Sequence, residues 1–165
     1  MRLSRIFLLG LVVLSLFTAA RQWNSAPSVV PSHFDAAGRP NAWSSREQFF
    51  ALQIGVTLGV AALFVGLPAL LRKTPASLIN LPNKTYWLAP ERREETMDRL
   101  ASYMDVFASA TVLLLLAVFE LASRASHGGN LDSSYFLPVL VAYLVFSAAW
   151  TVALIRGFAR IPDEG

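Results

Sequence analysis

The chain has 165 residues, of which 55% are hydrophobic and only 15% are charged, and its formal net charge is +3. An ordinary soluble domain carries about 25% charged residues, so this composition disfavours that class and favours a membrane protein. The chain contains no cysteine, which excludes disulfides, thiolate nucleophiles and cysteine-ligated metal sites.

Long apolar blocks separated by charged segments predict four transmembrane helices, because each block is near the length needed to cross a bilayer. The predicted spans are residues 4–22, 45–71, 105–124 and 135–157. The first apolar block is short, and its basic start and small residues at Thr18, Ala19 and Ala20 are also typical of a cleaved signal peptide. Flanking residues can extend it to full length, so we favour an uncleaved span.

The flanks of the four spans differ in basic charge, which predicts the orientation of the chain. One side holds ten of the 14 Lys and Arg residues: Arg2, Arg5, Arg72, Lys73, Lys84, Arg92, Arg93, Arg99, Arg156 and Arg160. The other side holds four: Arg21, Arg39, Arg46 and Arg124. The basic side faces the cytoplasm in most membrane proteins, so both termini and residues 72–104 are predicted to be cytoplasmic. Residues 23–44 and 125–134 are then outer loops, and the basic residues are expected to contact lipid headgroups rather than nucleic acid.

The first outer loop, residues 23–44, is predicted to be ordered. Pro27 and Pro31 favour an extended approach, and the segment Asp35–Pro40, with Gly38, is typical of a tight turn. The expected fold is therefore an all-α membrane protein, a four-transmembrane-helix bundle with an ordered outer loop and a cytoplasmic amphipathic helix.

His33 and Asp35 in this loop form, with Gly38, a candidate ligand-binding site. The two side chains are two residues apart, so on an extended strand they would share a face and could bind a cation or a polar ligand. Alternatively, both could hydrogen-bond the turn while Phe34 and Trp43 anchor the loop at the membrane interface. We favour the second interpretation because two potential ligands do not make a metal site, and we predict neither a metal nor a cofactor.

Two local patterns describe the second span. Ser44 and Glu47 have the spacing of a capping box, which places the start of the helix there. Gly55, Gly59 and Gly66 lie near one face and predict close helix packing, either against another span or against a second copy of the chain.

Residues 72–104 are predicted to form a cytoplasmic loop and an amphipathic helix that leads directly into the third span. Pro90 is suited to the first helical position, and Met97, Leu100 and Met104 recur at helical spacing. This segment is expected to lie at the membrane interface, and the alternative is a surface for a protein partner. The candidate partner-binding residues are Asn80, Asn83, Tyr86, Trp87, Glu91 and Arg92.

Glu120 is an acidic residue inside the third predicted span. A charged carboxylate at mid-membrane costs about 3 kcal/mol, so it needs a compensating contact. Arg124 lies four residues later on the same helix face, and an intramembrane ion pair is the simplest explanation. Proton or ligand handling by Glu120 is the functional alternative.

Two segments resemble a known family. The sequence PSHFDAAGRPNAW at 31–43 and the sequence NLPNKTYWLAPERREET at 80–96 are similar to the bacterial membrane family called domain of unknown function 1648. The matching positions are His33, Phe34, Gly38, Asn80, Pro82, Tyr86, Trp87 and Glu91. The same domain begins membrane proteins similar to the immunity and signalling protein of a bacterial toxin system, which implies a non-enzymatic role in sensing or resistance. This chain is shorter than those proteins and has fewer spans.

The resulting hypothesis is a multi-pass, non-enzymatic protein of the bacterial inner membrane, concerned with sensing, signalling or toxin resistance. Its partners would be the bilayer and either a protein partner or a second copy of itself. The alternative is a small-molecule transporter or accessory subunit that acts as an oligomer through the glycine face. A membrane enzyme would need several titratable side chains at one depth, whereas His33 and His127, which could meet at the outer surface, lie in different loops.

Overall fold

Residues 2–162 are described by the computed structural model. The elements in chain order are helix α1 (Leu3–Trp23), strands β1 (Val29–Phe34) and β2 (Pro40–Ser45), helix α2 (Arg46–Lys73), a 3-10 turn (Ala76–Leu78), and helices α3 (Lys84–Trp87), α4 (Arg93–Ala125) and α5 (Ser133–Ala159). Helices α1, α2, α4 and α5 are each long and apolar enough to cross a membrane. The chain is therefore a multi-pass membrane protein, as the apolar blocks predicted.

The loop between α1 and α2 folds as a β-hairpin, so the chain is mostly helical, as predicted, but also contains a small two-stranded sheet that the all-α prediction did not include. Strands β1 and β2 pair antiparallel, from Val29 opposite Ser45 to Phe34 opposite Pro40, with irregularities on both sides of His33. The turn between them includes Gly38 at a φ of 76°, a conformation that favours glycine. The extended proline-rich approach was predicted correctly, but its cross-strand pairing was not.

The first turn of α2 is capped one residue later than the Ser44 and Glu47 pattern predicted. The Ser45 hydroxyl accepts a hydrogen bond from the Gln48 backbone N–H, and the Gln48 side chain accepts one from the Ser45 N–H. Both serines have a partner three residues later, but strand β2 continues through Ser45 and therefore fixes the start of the helix. Ser44 is left without a capping role.

Helix α4 is continuous from the amphipathic segment into the third span, as predicted. It starts at Arg93, however, and Pro90 lies in the preceding turns rather than at the first helical position. Its early residues Met97 and Leu100 are buried. The amphipathic segment is therefore the first part of a 33-residue helix and packs against neighbouring elements of the chain.

The core lies between α1, α2 and α4, and α5 packs mainly against α4. Midway along the bundle, small and medium apolar side chains such as Leu8, Ala61 and Val112 fill the space between the three helices. We call the end with the β-hairpin and the α4–α5 loop (126–132) the hairpin end. The opposite end, with the described chain termini and the α2–α4 connection (74–92), is the terminal end. Each end holds a cluster of functional interest.

Candidate functional site: a cavity at the hairpin end

A cavity of about 790 Å³ lies at the hairpin end, between the hairpin, the first turns of α2 and α5, and the last turns of α4. Its apolar lining consists of Pro31, Phe34, Ala36, Phe49, Leu52, Val118, Phe119, Ala122, Leu131, Phe136 and Leu137. The remaining lining residues are Ser32, His33, Asp35, Gly38, Ser44, Gln48 and Ser133. The cavity is thus mainly apolar with a few polar groups, which is the usual composition of a small-molecule site.

The hairpin is held against the α4–α5 loop at Gly38. The Leu131 N–H donates a hydrogen bond of 2.7 Å to the Gly38 carbonyl. A Cβ atom at position 38 would lie 2.6 Å from the Leu131 carbonyl oxygen, so a side chain cannot fit without a shift of the backbone. Gly38, predicted as a ligand-binding position, therefore supports the cavity by fixing its hairpin side.

Asp35 stabilises the hairpin turn. Its Oδ1 accepts hydrogen bonds from the backbone N–H groups of Ala37 and Arg39, and its Oδ2 lies 2.9 Å from the Arg39 Nε. The Arg39 N–H above all holds the pKa of this carboxyl below its ordinary value of 3.8, and the Arg39 guanidinium and the Ala37 N–H act in the same direction. Both carboxylate oxygens are thus engaged within the turn.

This lowered pKa predicts an acid-sensitive turn. A carboxylate with a lowered pKa stabilises the fold above the pKa of the unfolded chain, and this stabilisation is lost as the pH falls through the folded pKa. We expect the amide resonances of Ala37 and Arg39 to titrate together with a midpoint below 3.8, measured by NMR on the protein in detergent. The Asp35→Asn variant serves as the control and should show no such titration. A midpoint at or above 3.8 would contradict the assignment.

His33 points to a partner across the hairpin. Its Nδ1 lies 2.6 Å from the Asn41 Oδ1, and the ring lines the cavity. His33 and Asp35 both line the cavity, but Asp35 lies in the turn beyond the end of β1, so the two do not share the face of a regular strand. His127, the other histidine, lines a separate pocket of about 200 Å³ with Glu120 and Arg124, so the two histidines do not share a site.

Ser44 was not predicted as a site residue. Its hydroxyl oxygen is buried and has no hydrogen-bond partner within the described chain, and the residue lines the cavity. Because Ser45 caps α2 in its place, the Ser44 hydroxyl is left without a hydrogen-bond partner among the described residues beside the cavity. In the sequence, Ser44 and Ser45 each have a possible capping partner three residues later. This spacing alone does not show which of the two serines caps the helix.

Glu120 has two polar partners at the hairpin end of α4. The Arg124 Nε donates a hydrogen bond of 2.9 Å to one carboxylate oxygen, and the Gln22 side-chain amide donates one to the other. The second contact joins α4 to α1. Glu120 is therefore part of a polar helix contact beside the cavity.

Asp105, near the terminal end, was overlooked in the sequence. It is fully buried, its Oδ1 accepts a hydrogen bond of 2.7 Å from the Arg5 Nε, and its Oδ2 accepts one from the Ser4 hydroxyl. The Arg2 Nε lies 3.7 Å away. This ion pair ties the start of α1 to α4. The sequence contained a signal for this ion pair: an aspartate at the edge of a predicted span and two arginines before the first span.

The candidate partner-binding residues fall into two groups. Asn83 and Trp87 are engaged within the chain, because the Asn83 amide donates to the carbonyls of Phe158 and Ala159, and the Trp87 Nε1 donates to that of Phe158. The Arg92 guanidinium lies over the Tyr86 ring, 4.2 Å from its centroid. Asn80 and Glu91 are exposed. Asn83 and Trp87 thus hold the end of α5.

The three glycines of α2 lie on an exposed face. A Cβ atom at Gly55, Gly59 or Gly66 would meet no heavy atom within 4 Å. Within the described chain, no other helix packs closely on this face. Contact with a second copy of the protein stays a prediction.

One part of the chain matches a protein-family model. Residues 10–57 match the family model described as Domain of unknown function (DUF1648). The match runs from α1 through the β-hairpin into α2, so it includes the hairpin side of the cavity, and it supports the predicted resemblance there. The segment Asn80–Thr96 lies outside the match. No curated protein and no solved structure shows significant similarity to the chain.

Proposed function

We propose that the protein is a non-enzymatic sensing or resistance protein of a bacterial inner membrane, and that it binds an amphipathic, mainly apolar ligand in the cavity at the hairpin end. The observation that carries this proposal is the cavity of about 790 Å³, which lies between the hairpin and the helix ends. The ligand is expected to have an acyl-like body and a hydrogen-bonding group.

The orientation follows from the distribution of basic residues. Ten of the 14 Lys and Arg residues flank the terminal end, which favours its placement in the cytoplasm. The hairpin end and its cavity then face outward, where a ligand from outside the cell can reach them. A sensing or resistance role needs this arrangement.

Size and lining support ligand binding. Small-molecule pockets commonly have volumes of about 300–1,000 Å³ and a mainly apolar lining with a few polar groups. The unpartnered hydroxyl of Ser44 supplies one such group. Leu52 and Leu137 line the cavity and are 56% and 54% exposed, so its edge is open to the surroundings of the helices. In a bilayer those surroundings are lipid, and an acyl-like ligand could enter from there.

The chemistry of the lining favours binding over catalysis. Among its lining residues only His33 and Asp35 carry ionisable side chains. Asp35 is engaged in the turn, and His33 is bonded to Asn41. General acid–base catalysis needs such groups to be within reach of the substrate and free to exchange protons.

A fatty-acid binding experiment tests the proposal. The purified protein in detergent is titrated with cis-parinaric acid, a fatty acid whose emission rises in apolar surroundings, and micelles without protein provide the background. Saturable binding is expected. Leu52→Trp should narrow the cavity and weaken binding about tenfold, a typical penalty for overpacking. Ser44→Ala should weaken it about fivefold through the loss of one hydrogen bond.

Leu63→Trp is the matched control. Leu63 lies about three turns further along the same face of α2, is 59% exposed, and does not line the cavity. This variant should bind the fatty acid as the wild type does. Equal affinity for the wild type and both tryptophan variants would show that the cavity is not the binding site.

The alternative function, an oligomeric transporter or accessory subunit, depends on the face of α2 that carries Gly55, Gly59 and Gly66. This face is exposed in the single chain and is therefore available to a second copy. We place this function second because it does not account for the cavity or for the fixed hairpin.

A further inference from the structure

A second cavity, at the terminal end, is lined by three arginines. Arg99 of α4, Arg156 of α5 and Arg160, the residue that follows α5, line a space of about 560 Å³ together with Trp87 and Gly157. Within residues 2–162 none of the three arginines forms an ion pair with a carboxylate. The cavity therefore concentrates positive charge without an internal counterion in this part of the chain.

The position of Arg99 is fixed by aromatic rings. Its guanidinium carbon lies 5.3 Å from the Trp87 ring centroid and 5.1 Å from that of Phe158, both within the range of cation–π attraction. A Cβ atom at position 157 would lie 3.2 Å from the Arg99 Nη2, so Gly157 leaves room for this guanidinium beside α5. One wall of the cavity is thus preorganised.

Two backbone carbonyls at the end of α5 are engaged by side chains. The carbonyls at a helix C-terminus carry partial negative charge and normally repel anions. Here the Phe158 carbonyl accepts hydrogen bonds from Trp87 and Asn83, and the Ala159 carbonyl accepts one from Asn83. These two carbonyls are therefore less available to repel an anion.

We infer that this cavity binds the phosphate headgroup of an anionic phospholipid. Guanidinium groups bind phosphate oxygens in pairs of parallel hydrogen bonds, and three of them suit a headgroup with two phosphates. Ile161 in the lining and Ile155 in the last turns of α5 are about half exposed, so apolar surface for acyl chains lies beside the charges. This inference is independent of the ligand proposed for the hairpin end.

Native mass spectrometry of the purified protein with defined lipids tests the inference. The wild type should bind diphosphatidylglycerol in preference to phosphatidylcholine. The double variant Arg156→Gln/Arg160→Gln should weaken diphosphatidylglycerol binding about 30-fold, from the loss of two arginine–phosphate contacts. The matched control is Lys73→Gln/Lys84→Gln, which removes the same charge from exposed positions at the same end and should change the affinity less than about twofold.

Three results would overturn the inference. The first is an equal loss of affinity in both double variants, which would indicate general charge attraction. The second is displacement of the lipid by an equal concentration of inorganic phosphate, which would indicate a site for a soluble anion. The third is lipid binding that arises only when the acidic residues Asp163 and Glu164 are both neutralised, which would show that the chain's own carboxylates occupy the cavity.

Discussion

The variant Asp105→Asn is expected to lower the free energy of unfolding by about 3 kcal/mol, the largest effect we predict for a single conservative change. Asp105 is fully buried, and its ion pair with Arg5 joins α1 to α4. The substitution keeps the size of the side chain but removes its charge, so Arg5 loses its counterion. Because Arg5 is itself 17% exposed and can turn partly toward headgroups, we expect the lower end of the range known for broken buried pairs.

SDS titration of the purified protein in mixed micelles measures this effect. Asp98→Asn is the matched control, since Asp98 pairs with Arg2 and Arg72 but is 61% exposed, and exposed pairs contribute less than about 1 kcal/mol. The double variant Arg5→Met/Asp105→Leu should regain most of the lost stability, because replacing both charges leaves none unpaired. Similar losses in Asp98→Asn and Asp105→Asn would refute a special role for the buried pair.

The helices of this protein could be predicted because their signal is local. Each span is a continuous apolar block, and the physical requirement to match the thickness of a bilayer sets its length. The prediction was weaker at the ends of the helices. Ser44 and Ser45 each have a suitable capping partner, and only the pairing of strand β2 selects Ser45.

The candidate site could be predicted only in part because it is built from distant segments. The cavity combines the hairpin with the ends of α2, α4 and α5, and no local pattern brings Phe34 next to Phe119 or Leu137. The same holds for the second cavity, in which Arg99 meets Arg156 and Arg160 across two helices. In the sequence these arginines only indicated the orientation of the chain.

The hairpin itself was missed for a related reason. The segment Pro40–Ser45 does not alternate between apolar and polar residues, because the short hairpin lies at the end of the bundle and most of β2 remains accessible. The turn residues Asp35 and Gly38 were recognised, but a turn alone does not establish which residues pair across it. Val30 of β1 is buried against residues of the helices, a contact that the local sequence does not show.

Gly38→Ala is expected to lower the free energy of unfolding by about 2–3 kcal/mol and to abolish fatty-acid binding at the hairpin end. A residue with a side chain in this left-handed conformation costs about 1–2 kcal/mol, and loss of the hydrogen bond from Leu131 adds about 1 kcal/mol. The new Cβ atom would lie 2.6 Å from the Leu131 carbonyl oxygen, so the hairpin must move away from the α4–α5 loop. The cavity then loses the contact that fixes its hairpin side.

Two measurements follow these consequences separately. Hydrogen exchange of the amides of residues 29–45 reports movement of the hairpin, and titration with cis-parinaric acid reports ligand binding. Gly129→Ala is the matched control in the same loop region, because a Cβ atom there meets no atom within 4 Å. This variant should retain wild-type exchange and binding. If Gly38→Ala speeds exchange in the hairpin but leaves binding intact, the hairpin is not needed to hold the ligand. A fixed hairpin could accept the added methyl group only by moving. If neither hydrogen exchange nor binding changes, the contact between Gly38 and Leu131 therefore does not fix the hairpin.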